Sequence, residues 1–340
     1  MKNRQLLIKY LAAISLSLFS SLIPEQAKAQ SIERTEVEGC SLELKENEIN
    51  IFSGSVDLGC NFEYKLRDQT TEYSVAFNII HANQLSEFGA KESSVYVLDS
   101  NSGEVYEQKV QFTTGSGAQS LTVSLKNLYN RNKASVVVED EMVGNGSCTG
   151  SLEVTVYDQN LPNKLYRLGN GVVKAALTYD YGSDYYVLDR EPYYVPICTD
   201  FKDIDNNGIT EIVTQDKRFS AFEKSFTSYP PQIIALNTNG FEDVTLQYPN
   251  FLRAEAKYHW DEVIKARQEA SNSCPYYFIE MASYAAIKSM LGEYPDAIKH
   301  IKERINMDLS FHRRYDCYLP NGINTFIPNL EAFLSENNYI

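Results

Sequence analysis

An α+β chain is predicted: an N-terminal β-sandwich, a middle β unit with one Asp-rich loop, and a C-terminal α-helical unit. Three observations predict it. Up to about residue 248, short apolar runs alternate with polar residues, the period of a half-buried strand. From about residue 250 the period lengthens to that of an amphipathic helix. Between these regimes, Asp203, Asp205, Asn207 and Glu211 place oxygen side chains at positions 1, 3, 5 and 9 of one short turn, with Gly208 at position 6.

The first 29 residues stand apart. Lys2, Arg4 and Lys9 make a basic start, Leu11–Ile23 a short apolar run, and Ala27, Lys28 and Ala29 an A-x-A cleavage site. This pattern predicts a signal peptide over 1–29 and a periplasmic or secreted protein. The apolar run is shorter than the ~20 residues of a spanning helix, and no membrane span is expected after signal removal. The chain carries −14, and residues 1–29 hold four basic residues against Glu25, so the remainder carries −17. Such acidity argues against nucleic acid or anionic lipid as a partner.

All six cysteines follow residue 29. In an oxidising compartment they read as up to three disulfides. Cys274 and Cys317 share the C-terminal region and are expected to pair. The pairing of Cys40, Cys60, Cys148 and Cys198 stays open. No C-x-x-C occurs, which gives no support to thiol redox catalysis or a zinc ribbon.

Residues 30–160 are expected to form the β-sandwich. Candidate strands are Val56–Tyr64, Tyr73–Ile79, Val105–Phe112, Ser120–Leu125, Ala134–Val138 and Leu152–Tyr157. Gly, Asn and Ser clusters at 101–103, 115–117, 130–132 and 144–146 supply turns between them. Residues 160–163 read as a hinge into the second unit, 161–249. There Gln232–Leu236 and Phe241–Leu246 flank a hairpin turn at 237–240. The helical unit, 250–340, is expected to hold helices at Phe251–Ala270, Tyr276–Leu291, Pro295–Met307 and Pro328–Glu336, with Tyr318–Asn324 as a loop.

A hard cation such as Ca²⁺ takes six to eight oxygen ligands, which a curled loop supplies from alternate residues. The expected ligands are the side chains of Asp203, Asp205, Asn207 and Glu211 and the carbonyl of Ile209. Gly208 permits the positive φ of a sharp turn. Position 12 of the loop is Thr214, where an EF-hand has glutamate, and the flanks read as strands. The pattern Asp203-x-Asp205-x-Asn207-Gly208-x-x-Glu211-Ile212-Val213 is similar to the calcium loop of FG-GAP/VCBS-type repeats. That resemblance implies structural calcium at the acidic and amide positions, with the apolar pair starting a strand. One such loop implies a single blade-like hairpin, not a propeller.

Two wider resemblances follow. From about Val195 to the C-terminus, residues 203–211, 215–219, 228–231, 240–245 and 333–339 look like a group of bacterial exported proteins of unassigned function, which implies architecture and no activity. Ala285, Gly292, Tyr294, Ala297 and Ile301 are spaced similarly to a tetratricopeptide helix pair. A single such unit reads as an ordinary αα-hairpin, since these repeats need stacking neighbours.

No catalytic residue is assigned. The four histidines are scattered, and no H-E-x-x-H, G-x-S-x-G or G-x-x-x-x-G-K-[ST] occurs. His259 and Trp260 read as one face of a helix with an aromatic anchor. Tyr185, Tyr186, Tyr193 and Tyr194 are candidate ligand-binding residues, because aromatic faces with hydroxyls suit a glycan. Asp180, Asp184 and Asp189 are candidate carboxylates for glycoside hydrolysis. The expected function is a calcium-stabilised binding or interaction protein with a protein or glycan ligand. A carbohydrate-binding or carbohydrate-active protein using Tyr179–Tyr194 and a secreted enzyme inhibitor are the alternatives.

Overall fold

The computed structural model describes residues 33–340 apart from 38–39, 46, 54–59, 68–71, 80–91, 100–102, 112–117, 144–149, 159, 170, 174–175, 181–184, 190–192, 196, 217–218, 220–228, 270–277 and 315–319. The expected signal peptide 1–29 and Cys148, Cys274 and Cys317 lie outside the described residues. So do the side chains of Cys40, Cys60 and Cys198.

The chain begins with β1 (Glu33–Val37), β2 (Cys40–Lys45) and β3 (Glu48–Ser53). Next come β4 (Cys60–Arg67), β5 (Glu72–Ile79), β6 (Glu92–Asp99) and β7 (Val105–Gln111), then β8 (Ala118–Asn130), β9 (Lys133–Val143) and β10 (Gly150–Tyr157). Strands β4 to β7 form an antiparallel four-stranded sheet. The other six run β1-β2-β3-β8-β9-β10 in a second antiparallel sheet. The alternation read from sequence thus becomes strands, several of them longer than expected. For example, β8 extends to Asn130 because the turn at Arg131 and Asn132 closes a tight hairpin into β9.

Successive side chains of a strand face opposite ways, and β9 uses both faces. Val136, Val137 and Val138 are all fully buried. Val136 and Val138 join a core with Val75, Val97, Leu121 and Val123, to which both sheets contribute. Val137 joins another with Val154, Ile212, Ile234 and Leu236. A strand covered on both faces reads as an unbroken apolar run.

That second core reaches residues beyond 200. Strand β11 (Leu165–Gly169) pairs with β10. The small strands β12 (Gly171–Val173), β13 (Ala176–Asp180), β14 (Tyr185–Asp189) and β15 (Tyr193–Val195) follow. Strand β16 (Ile197–Lys202) then pairs with β10 at Gly150 and Ser151. β17 (Glu211–Gln215), β18 (Pro231–Asn237) and β19 (Gly240–Asp243) extend the large sheet in order. The sheet therefore continues past residue 160 into the expected middle unit.

Four helices are described: α1 (Pro249–Glu269), α2 (Phe278–Met290), α3 (Tyr294–Arg314) and α4 (Pro320–Glu336). The first two match the expected ranges closely. Helix α3 runs further than expected. Helix α4 takes in residues expected as a loop, and Pro328 lies inside it rather than at its start. The physical reason is that Pro320 already provides the proline favoured in a first helical turn. Pro328 forgoes one backbone hydrogen bond, but Phe326, Leu330, Phe333 and Leu334 are fully buried around it and hold the helix in place.

Gly292, at φ +74°, ends α2. Its N–H donates to Ser289 O at 2.9 Å and the Glu293 N–H to Lys288 O at 2.7 Å, a Schellman closure. Asn338 repeats the closure after α4, with the Tyr339 N–H donating to Leu334 O at 2.8 Å. That cap aims the Tyr339 hydroxyl at the Asp216 carboxylate, just beyond β17. The end of the helical unit is thus fastened to the strand beside the Asp-rich loop. Among the described residues no helix is long and apolar enough to cross a membrane.

Candidate functional site

The loop between β16 and β17 starts from the Lys202–Glu211 register pair. Asn206 at φ +59° and Gly208 at φ +85° give it two left-handed residues. The positive φ of Gly208 favours glycine, and a Cβ there would stand 3.2 Å from Arg131 Cβ, a tight contact. The Thr210 N–H donates to Asn127 O at 2.8 Å and seats the loop on the β8–β9 hairpin.

The expected cation ligands Asp203, Asp205 and Asn207 turn inward. The Asn207 N–H donates to Asp203 Oδ1 at 3.0 Å and to Asp205 Oδ1 at 3.2 Å. The Gly208 N–H donates to Asp203 Oδ2 at 2.9 Å, and the Ile209 N–H to Asn207 Oδ1 at 2.7 Å. Two carboxylates therefore converge on one amide. Glu211 is buried, and its Oε2 accepts the Ile204 N–H at 3.0 Å. Burial raises the Tyr248 phenol well above the ordinary tyrosine range. A hydrogen bond to Glu211 and the negative field of Glu211, Asp205 and Asp203 add to the shift. Tyr248 precedes α1, so the loop carboxylates and the helix entrance meet at this hydroxyl. Among the described residues no three His, Cys, Asp or Glu side chains gather as a metal-holding group.

The four candidate tyrosines lie on two separate small sheets. Tyr185 and Tyr186 are on β14, paired with β13, while Tyr193 and Tyr194 are on β15, paired with β12. Their side chains are outside the described residues. Helix α4 packs against β13 and β14. Asp180 and Asp189 sit at opposite ends of the β13–β14 ladder, about 13 Å apart along the strand at the usual rise. Asp184 is outside the described residues.

A second constellation was not expected. A cleft of about 200 Å³ opens between the β16–β17 hairpin and α1. Alternation and antiparallel register put Asp200, Lys202, Val213 and Gln215 on one face of the hairpin. Opposite them, α1 brings Phe251, Glu255, Tyr258 and His259 to the cleft. The Lys202 ammonium lies over the Phe251 ring, 5.4 Å from its centroid. His259 is 1 % exposed, and its Nδ1 is 2.7 Å from Glu280 Oε2 on α2. A signal for it was present in the sequence. Leu252, Ala256, His259 and Val263 form one buried stripe at helical spacing, and a histidine on such a stripe needs a polar partner.

No protein-family model, curated protein or solved structure matches this chain.

Proposed function

We propose that this chain is an exported, calcium-stabilised binding protein of the bacterial envelope or exterior, with its N-terminal sheets forming a β-sandwich. The observation that carries the reading is the convergence of Asp203 and Asp205 on the single Asn207 amide. The Gly208 N–H and the Asn207 side-chain amide also donate to this pair, yet neutral dipoles do not cancel two negative charges, and a divalent cation does. An ionised carboxylate has about four lone-pair sites, so these hydrogen bonds leave oxygen capacity for an ion. The donor set of Asp203, Asp205, the Asn207 amide oxygen, the Ile209 carbonyl and Glu211 is all oxygen. That chemistry favours Ca²⁺ over softer metals.

The role of the ion is structural. It would fasten a loop that also touches the β8–β9 hairpin through Thr210 and the start of α1 through Tyr248. Ligand-linked stability follows mass action, about 2.7 kcal/mol at one hundred times the dissociation constant. Calcium is therefore expected to raise the melting temperature of the protein beginning at Gln30, and a chelator to lower it. The variant D203A should lose this response. Identical melts with calcium and with chelator would reject the ion.

A further inference from the structure

We propose that Asn207 is a self-modification site, where the backbone nitrogen of Gly208 attacks the side-chain amide and converts it to aspartate. Asparagine followed by glycine is open to this reaction because no Cβ shields the attacking nitrogen. Two such pairs sit in turns with exposed asparagines: Asn207–Gly208 in the Asp-rich loop, and Asn239–Gly240 between β18 and β19. Of these two, the first is surrounded by groups that assist the chemistry.

The Gly208 nitrogen must give up its proton, and its N–H donates to Asp203 Oδ2 at 2.9 Å. That is within reach of a general base. The carbon under attack must become electrophilic, and the Ile209 N–H donates to Asn207 Oδ1 at 2.7 Å. This donor already faces the oxygen on which negative charge develops as the new bond forms. The leaving nitrogen is held too, since Asn207 Nδ2 donates to Asp205 Oδ2 at 3.1 Å. Both Asn207 and Gly208 are exposed, which admits the water that completes the reaction. At the other pair, the Asn239 N–H donates to Asn237 Oδ1 at 2.7 Å. Among the described residues no carboxylate meets the Gly240 N–H, and no N–H meets the Asn239 amide oxygen.

The bonds balance without a cofactor or redox partner. The Gly208 nitrogen bonds to Asn207 Cγ and loses its proton. The Cγ–Nδ2 bond breaks, and Nδ2 leaves as ammonia with that proton. Water then opens the cyclic imide. Opening at one carbonyl gives aspartate at position 207, and opening at the other gives isoaspartate. Aspartate adds a carboxylate beside Asp203 and Asp205. Isoaspartate lengthens the main chain by one atom and moves the loop oxygens out of register. The consequence for calcium rests on the reading above, because ligand charge and site rigidity tune affinity for that ion. The charge of the loop thus rises with the age of the chain.

The test is peptide mapping by mass spectrometry on the protein beginning at Gln30, incubated folded and with chelator present. Replacement of the amide NH2 by OH should appear at Asn207 well before it appears at Asn239. In concentrated urea, where the turn contacts are gone, the two sites should convert at similar rates. D203N should slow the folded conversion at Asn207 by about tenfold or more, as loss of a general base does, and leave Asn239 unchanged. The comparison of the two sites needs no variant, so it holds even where D203N fails to fold. With chelator present throughout, a failure here is separable from a failure of the calcium reading. Earlier conversion at Asn239, equal rates at the two sites in the folded chain, or an unchanged rate in folded D203N would each overturn the proposal.

Discussion

Strand β9 and helix α2 are both buried on every side, yet they are held by different forces. The three valines of β9 face two cores while the backbone is hydrogen-bonded to β8 and β10 along its length. Helix α2 buries nine residues from Phe278 to Ile287, and its neighbours reach it through side chains alone. Its small residues, Ala282, Ala285 and Ala286, let the aromatic partners come close. The Phe278 and Phe326 rings are 4.8 Å apart, and the nearby Phe219 and Phe333 rings 4.7 Å. The sheet region therefore spreads its stability over the main chain, whereas the helical region concentrates it in a few rings.

The two regions also treat buried polar groups differently. In the sheet region, Asp158 accepts from the Ser135 hydroxyl at 2.6 Å and from the Asn160 N–H at 2.8 Å and side-chain amide at 2.9 Å. That carboxylate is fully engaged in closing a turn. In the helical region, the His259 Nδ1 meets a single Glu280 oxygen at 2.7 Å. The first arrangement is a structural tie. The second joins two helices through one contact.

The largest expected effect comes from core truncation. F333A should cost about 3–5 kcal/mol, the usual loss for a buried phenylalanine, and V137A about 2 kcal/mol. Urea unfolding followed by circular dichroism measures both. A valine loss as large as the phenylalanine loss would erase the contrast between spread and concentrated packing.

Next come the polar ties. Removing one partner of a buried hydrogen bond costs about 1–3 kcal/mol. D158A should fall at the upper end, since three donors lose their acceptor, and E280A at the lower end. The reverse order in the same unfolding experiment would make the His259–Glu280 pair the more structural of the two.

The smallest effect belongs to an exposed pair. Lys164 Nζ lies 2.5 Å from Glu104 Oε2. Its hydrogen bond, followed by that of the Tyr106 hydroxyl, holds the Glu104 carboxyl below the usual glutamate range. Because the folded value is depressed, the contribution is present above the ordinary glutamate value and fades as the pH falls through the folded one. In K164A the Glu104 carboxyl should titrate at higher pH by NMR, with little change in melting. An unchanged titration would remove this ion pair from solution.

What could be read in advance was whatever a few neighbouring residues decide. The change of period near residue 250 marked the start of α1 within two residues, because helix and strand repeats are local. Asn206 and Gly208 take up positive φ as a tight acidic turn requires, and the strand after Glu211 follows from Ile212 and Val213. The end of the chain was harder. Two prolines eight residues apart, Pro320 and Pro328, both fit a helix start, and packing around Phe326 and Phe333 chose the earlier one.

By itself, the sequence determined the order of strands and helices, the acidic turn and the apolar faces, since each depends on repeats and turn chemistry within a dozen residues. Only tertiary structure decided which side chains meet. It set His259 against Glu280, 21 positions away, and Tyr339 against Asp216, 123 away. It also buried the Gln215 side-chain oxygen without a hydrogen-bond partner. Contacts of such span depend on how sheets and helices pack, and no local pattern encodes that.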